Sequence, residues 1–151
     1  MPDHLIVPIT SLKHAEGLPL PQYQTEHSAG VDLYAAVDKE TVIEAGTWRL
    51  VPTGISVAIP EGYEGQVRPR SGLALRNGMG LLNAPGTIDA DYRGEVSIIL
   101  FNFSDKPFII HRGDRIAQLV FAKVEKARFV QVDALTDTTR GAGGFGHTGV
   151  K

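Results

Sequence analysis

The densest group of chemically capable residues lies in Gly86-Thr-Ile-Asp-Ala-Asp-Tyr-Arg-Gly94, with Asn83-Ala-Pro85 just ahead of it. Two carboxylates, a tyrosine and an arginine stand between two glycines. A carboxylate that takes a proton from water needs a fixed backbone, and glycines at the edges of a turn permit tight geometry without a Cβ. If Ile88–Asp91 is extended, Asp89 and Asp91 point to one face, because side chains two apart on a strand do so. Tyr92 then lies opposite, unless the turn begins there. The residues alone do not choose between the two acids, and the plain alternative is a polar turn with solvated carboxylates.

Arg68-Pro-Arg-Ser-Gly-Leu73 sets two arginines ahead of a helix start, where free amides and forked guanidinium donors suit an anion. An ordinary capped helix is the competing reading. Arg140-Gly-Ala-Gly-Gly-Phe-Gly-His-Thr-Gly149 cannot pack as strand or helix. It reads as a disordered terminus, or as a clamp whose amides approach phosphate while Phe145 stacks on a base. Disorder when empty and order when occupied reconciles the two. Asp32 sits in an apolar strand, where it faces water from a sheet edge unless it is paired or near a metal. The Arg-Gly-Asp of His111–Leu119 is too short to argue adhesion, and that stretch reads as a turn between strands. His4, His14, His27, His111 and His147 lack the spacing of zinc ligands.

The elements that must position these groups are mostly short strands. The 151 residues are 42% hydrophobic, which suits one domain with a real core. Seventeen glycines and nine prolines cut the chain into pieces rich in Val, Ile, Leu, Phe and Thr. Strands are expected at Leu5–Ile9, Val31–Val37, Thr41–Ile43, Trp48–Val51, Gly54–Ile59, Gln66–Arg70 and Phe108–Ile110. Ile116–Val132 adds more, broken at Lys123–Arg128. Gly80–Asn83 and Thr87–Ile88 read as the arms of a hairpin. Glu95–Phe103 is apolar on both faces, so a second sheet or a neighbouring subunit should cover each side. Ser71 can cap the one helix, over Leu73–Arg76, and Asn77-Gly78 stops it. From Asp133 on, the composition turns to Gly, Thr and Asp.

Several classes of protein are disfavoured. No apolar run approaches the ~20 residues of a membrane-spanning helix. Met1-Pro-Asp-His4 lacks the basic-then-apolar pattern of a secretory leader. The chain has no cysteine, which fits a reducing cytoplasm. A net charge of −2 argues against general coating of nucleic acid, though not against local arginines around a small phosphorylated ligand.

Five stretches, Ala29-Gly-Val-Asp-Leu33, Pro69-Arg-Ser-Gly72, Gly86–Gly94, Gly113-Asp-Arg-Ile-Ala-Gln118 and Arg140–Gly149, resemble in order the five motifs of trimeric dUTPases. Val31 stands where that family often has Leu, and Thr148 where it often has Ser; the threonine keeps a hydroxyl. The resemblance implies an all-β, jelly-roll-like β-barrel with one short helix and a flexible Gly-rich C-terminal tail. Residues 1–132 would form the catalytic barrel, and 133–151 an arm closing over the active site. It implies a cytoplasmic homotrimer with shared active sites, not binding nucleic acid or membrane. With Mg²⁺, that trimer would cleave dUTP to dUMP and pyrophosphate by water attack on the α-phosphorus. Such an activity limits uracil in DNA and supplies dUMP for dTMP synthesis.

Carried over residue by residue, the resemblance makes Asp89 the base that orients and deprotonates water. Tyr92 would lie under the deoxyribose and leave no room for a 2′-hydroxyl. Asn83 and the nearby backbone of Gly86, Thr87 and Ile88 would read the uracil. Arg70, Ser71, Gly72 and Gln118 would hold the phosphates, and Asp32 would touch Mg²⁺ through water. Phe145 would stack on the base while Arg140, Gly146, His147 and Thr148 close over it. The rival readings are a related dCTP deaminase and a non-catalytic nucleotide-binding module.

Overall fold

Apolar residues recurring at alternate positions put one face of each strand into a common core. The computed structural model describes residues 4–149. It contains β1 (Ile9–Ser11), β2 (Val31–Tyr34), β3 (Thr41–Ile43), β4 (Trp48–Pro52), β5 (Ile55–Val57) and β6 (Tyr63–Arg68). After the helix come β7 (Met79–Leu81), β8 (Gly86–Ile88), β9 (Ser97–Asn102), β10 (Phe108–Ile110) and β11 (Arg115–Lys123). The helix α1 (Ser71–Asn77) and a 3₁₀ turn (Lys13–Ala15) complete the regular structure. The first three residues, on which the leader argument partly rests, and the last two of the tail lie outside the described residues.

Every strand pairing is antiparallel. One sheet runs β2-β11-β6-β8 and a second runs β4-β9-β7; β1-β5 and β10-β3 are two-stranded. Neighbours distant in sequence, such as β11 between β2 and β6, give the crossed connectivity of a jelly-roll-like wrap. Backbone pairing alone does not close the ring; the four ladders wrap one core through packing. Val31, Leu33, Val67 and Leu119 enter it from one large sheet, and Val51, Met79, Ile98 and Leu100 from the other.

Polar groups inside this core are satisfied. Asn102 is fully buried; its amide nitrogen donates to the carbonyls of Ile43 (2.9 Å) and Lys106 (2.7 Å). Its Oδ1 accepts from the Ser104 backbone N–H (2.9 Å) and hydroxyl (2.7 Å), so the residue fixes the turn after β9 and ties it to β3.

Several expected boundaries move. Thr41–Ile43 and Phe108–Ile110 stand as read, but the first strand begins at Ile9, β2 ends at Tyr34, and β6 runs Tyr63–Arg68 because Pro69 cannot donate to a ladder. No strand follows β11 among the described residues; Phe129, Val130, Val132 and Leu135 are exposed. The expected hairpin is absent, since β7 pairs with β9 and β8 with β6, in different sheets. Ser71 is the first helical residue rather than the cap; Arg70 holds the cap position with no side-chain bond. Gly78 does stop the helix, in the left-handed conformation at φ 64°, with its N–H on Ala74 and Leu73 carbonyls.

β9 is covered on one face only. Ile98, Leu100 and Asn102 are buried, whereas Ile99 and Phe101 are half-buried and Phe103 is exposed. Trp48 stacks on Phe101 at 6.3 Å and Phe101 meets Phe103 at 4.3 Å, leaving an apolar outer face continued by exposed Leu50. Leu100→Ala empties the centre of the core and should cost about 2–5 kcal/mol. Urea denaturation measures this, and a loss near zero would move Leu100 out of the core.

Candidate active site

The backbone of β11 decides one half of the site. A bulge inserts an extra residue between Arg115, opposite Tyr34, and Ala117, opposite Leu33. Ile116 therefore turns into the core, and Arg115 turns to the face that carries Tyr34 and Asp32. Arg115 Nη1 donates to Asp32 Oδ2 at 3.1 Å, and Arg70 Nε, from the turn before α1, donates to Oδ1 at 3.0 Å. Arg70 Nη1 also donates to the Arg115 carbonyl at 3.2 Å. Asp32 is 2% exposed, so the expected water-facing edge acid is instead buried between two guanidinium groups. One carboxylate against two cations leaves a net positive centre that suits a phosphate.

Gln118 stands directly across from Asp32 on one side and from Arg68 on the other. Arg68 donates to Gln66 at 2.6 Å and Gln66 to Glu64 at 2.7 Å, so a polar row runs along the outer face of β6. Arg70 and Arg115 also line an open hollow of about 580 Å³, together with Tyr34, Phe108 and the carboxylate of Asp114.

The other half hangs from the end of β8. The strand stops at Ile88, and a turn follows, with the Tyr92 N–H on the Asp89 carbonyl at 3.1 Å. Asp89 and Asp91 thus do not share a strand face, contrary to the extended reading. Both are exposed, and among the described residues neither forms an ion pair. They open onto a separate hollow of about 730 Å³, with Thr87, Glu64, Arg93 and Lys126. Arg93 folds onto the turn itself, donating to the carbonyls of Ala90 (2.6 Å) and Tyr92 (2.9 Å). Asn83, Gly86, Thr87 and Ile88 line a notch of about 70 Å³ beside it.

The glycines flanking this segment are there for space, since neither has a positive φ. A Cβ at Gly86 would approach Val67 Cβ at 3.3 Å. One at Gly94 would lie 2.4 Å from the Tyr92 hydroxyl, so the tyrosine folds back over bare backbone.

The fold brings Asp32, Arg70 and Gln118 together; elsewhere Thr87 lines both the hollow of Asp89 and the notch of Asn83, and Tyr92 follows on the Asp89 turn. It does not bring the two groups to each other in one chain: β2 and β8 are three strand spacings apart, roughly 14 Å. The tail stands apart again. Its turns close on themselves, with Arg140 Nε donating to the Gly143 carbonyl at 2.7 Å and the His147 ring packed on Gly143. Phe145 is fully exposed at φ 48°, and Thr148 is exposed. Sequence reasoning passed over Arg115 because only the bulge aims it at Asp32; its place three residues ahead of Gln118 was the available signal.

The dUTPase family model matches residues 16–149. The dUTPase of Staphylococcus bacteriophage 80alpha with dUPNHPP matches with a TM-score of 0.85 at 26% identity, covering 96% of this chain and 99% of that one. A single-site mutant of that enzyme with dUpNHpp gives 0.85 at 25% identity, with the same coverage of 96% and 99%. A mutant dUTPase from phage phi11 of S. aureus, described for its coordination of a structural Mg(II) ion, gives 0.77 at 23% identity, covering 87% and 99%. At that identity the likeness is one of fold.

The buried charge in the first group is the carboxylate, while Arg70 and Arg115 reach water. Removing both cations (Arg70→Met with Arg115→Met) should therefore cost about 3–5 kcal/mol, and Asp32→Asn less, about 1–2 kcal/mol. Urea denaturation of the two variants checks the order; the reverse order would show that the arginines carry the desolvated charge.

Proposed function

The chain belongs to the dUTPase family and is a dUTP diphosphatase; we propose that it acts as a homotrimer in which the groups separated in one chain meet between copies. The observation that carries this is the division just described, with an exposed acid in one hollow and two guanidinium groups gathered on a buried carboxylate at another. The apolar outer face of Trp48, Leu50, Phe101 and Phe103 supports burial against a second copy.

In this reading Asp89 orients a water and takes its proton as the water oxygen attacks the α-phosphorus. The bond from that phosphorus to the β-phosphate oxygen breaks, and dUMP and pyrophosphate leave. Exposed, and in no ion pair among the described residues, Asp89 is open to a water, as a base must be. Tyr92 lies against the deoxyribose, and Asn83 with the backbone of Gly86, Thr87 and Ile88 reads the uracil. A site built to bond uracil rejects cytosine, whose donors and acceptors would be left unpaired.

Arg70, Ser71, Gly72 and Gln118 hold the triphosphate. Phosphoryl transfer asks mainly for positioning and charge stabilisation, and two arginines around one buried acid are built for that. Residues 133–151 form an arm, with Phe145 on the base and Arg140, Gly146, His147 and Thr148 over the phosphates. Such an arm leaves its self-closed turns to do so.

Among the described residues no group of three or more His, Cys, Asp or Glu side chains could cage a metal. The donor set fits Mg²⁺ that arrives on the triphosphate with its water shell, since such an ion needs only one or two carboxylates. Asp32 would meet it through water; its two oxygens each hold one arginine bond and keep a lone pair. When bound, the ion neutralises phosphate charge. The enzyme so placed works in the cytoplasm, keeping uracil out of DNA and supplying dUMP.

Pyrophosphate release measured across dUTP, dTTP, dCTP and UTP with Mg²⁺, alongside the mass of the assembly in solution, tests the whole reading. A dominant dUTP rate in a trimer is expected, and a fully active monomer would remove the shared site. Asp89→Asn should lower kcat by about 10²–10⁴-fold and leave nucleotide affinity within a few fold. An equal loss of both would make Asp89 structural. Deletion of Gly141–Lys151 should leave the melting temperature unchanged and remove most activity, and retained kcat/KM would overturn the clamp.

A further inference from the structure

The hydroxyl of Tyr92 donates to the Glu95 carbonyl at 2.9 Å. The ring is therefore fixed by the backbone at Glu95, just before β9, and what fixes that backbone lies far away in sequence. Glu95 Oε1 accepts the Gly54 N–H at 2.7 Å and pairs with His14 Nε2 at 2.7 Å. The next residue is held too: Val96 N–H bonds to the Ile55 carbonyl at 2.8 Å, and the Thr53 hydroxyl donates to the Val96 carbonyl.

His14 is in turn presented by a seated element. The 3₁₀ turn Lys13–Ala15 rests on Gly54, where a Cβ would lie 2.3 Å from that of buried Ala15, and Gly54 has a φ of +67°. Glycine is needed at this position on both counts. The Leu12 N–H bonds to the Gly54 carbonyl at 2.8 Å. Arg112 locks the far side of the turn, donating to the carbonyls of His14 and Glu16 at 2.8 Å each and of Val37 at 3.3 Å. None of these residues lies in the two groups of the candidate active site, yet their contacts end on its tyrosine.

We propose that His14 and Glu95 are positioning residues that hold Tyr92, and through it set the enzyme's preference for the deoxy sugar. This rests on the reading that Tyr92 lies against the deoxyribose. With the carboxylate gone, the buried Gly54 N–H loses its acceptor, and the Glu95–Val96 peptide is held only by the Val96 N–H on the Ile55 carbonyl. The carbonyl that the Tyr92 hydroxyl donates to is then less firmly held, and the half-exposed ring gains freedom that would admit a 2′-hydroxyl. With His14 gone the Gly54 bond remains, so the effect is smaller. Gln at position 95 keeps an acceptor for the Gly54 N–H and so preserves the backbone.

The test uses the full chain with Glu95→Ala, His14→Ala and Glu95→Gln. Glu95→Ala should lower the dUTP-to-UTP ratio of kcat/KM by about tenfold, with the dUTP KM moving more than kcat. His14→Ala should lower the ratio by about two- to fivefold, and Glu95→Gln should keep it within about twofold of the parent. A second readout needs no turnover: ¹⁹F NMR of protein labelled with 3-fluorotyrosine, with the Tyr92 signal assigned by Tyr92→Phe. That signal should shift or broaden in Glu95→Ala and His14→Ala and stay in place in Glu95→Gln. An unmoved signal with an unchanged sugar ratio in folded Glu95→Ala overturns the proposal. If that variant does not fold, the same result in His14→Ala overturns it. A parent enzyme indifferent to the sugar would instead refute the role of Tyr92, while the fluorine signal still reports whether Glu95 holds the ring.

Discussion

A carboxylate taken out of water dictates much of the geometry on one side of this molecule. Asp32 sits on β2, nearly free of solvent, and each oxygen must find a cation or a donor. The chain meets that demand from two directions, with Arg70 from the turn before the helix and Arg115 from a bulge in β11. Had β11 kept regular register, Ile116 would share the face of Asp32 and Arg115 would point away. The bulge is thus what makes burial of the acid tolerable. As a consequence, two guanidinium groups are preorganised at fixed separation with positive charge left over. A triphosphate meeting such a surface need not order the arginines itself.

The contrast with Asp89 is one of environment. Both are aspartates near strand ends in the same sheet, but one is buried and doubly paired and the other is exposed, with no ion pair among the described residues. An acid enclosed by two arginines can orient those arginines and contribute charge, but it is shut away from a water that must be activated. An acid left open in a hollow can take that proton. The polar row Gln118, Arg68, Gln66 and Thr87 lies between them across the sheet, so their separation is fixed by strand spacing rather than by loops. No side-chain motion within one chain closes a gap of that kind, which is the physical ground for placing the working site between copies.

Much of the fold was legible because its signals were local. Gly78 ends the helix by a backbone conformation that follows from the Asn77-Gly78 pair, and Thr41–Ile43 and Phe108–Ile110 show short apolar strands between turns. Readings that depended on distant partners went astray. Gly80–Asn83 and Thr87–Ile88 look like hairpin arms, yet each finds a better-matched partner, β9 and β6, in a different sheet. Asp32 looks exposed because its partner Arg115 is 83 residues away and depends on a bulge that no residue pattern announces. The apolar alternation of Glu95–Phe103 did report two apolar faces, but the single chain supplies cover for only one. The motif order nominated the candidate residues, and their division between two hollows became visible only in three dimensions.

The flanking glycines sharpen the point about what a sequence encodes. Gly86 and Gly94 read as turn glycines that permit tight geometry without a Cβ, and neither adopts a left-handed backbone. Gly94 is bare because the Tyr92 ring occupies the volume a Cβ would need, and Gly86 because β8 packs closely on Val67. Gly54 is different again, since it meets both demands, a positive φ and direct contact with Ala15. A glycine in a motif therefore reports on its neighbours as much as on its own torsions. At Gly94 the neighbour is the Tyr92 ring, which in the proposed site would lie against the sugar. Any side chain there would displace that ring, so the position of Tyr92 is a property of backbone packing as well as of the residues beside it.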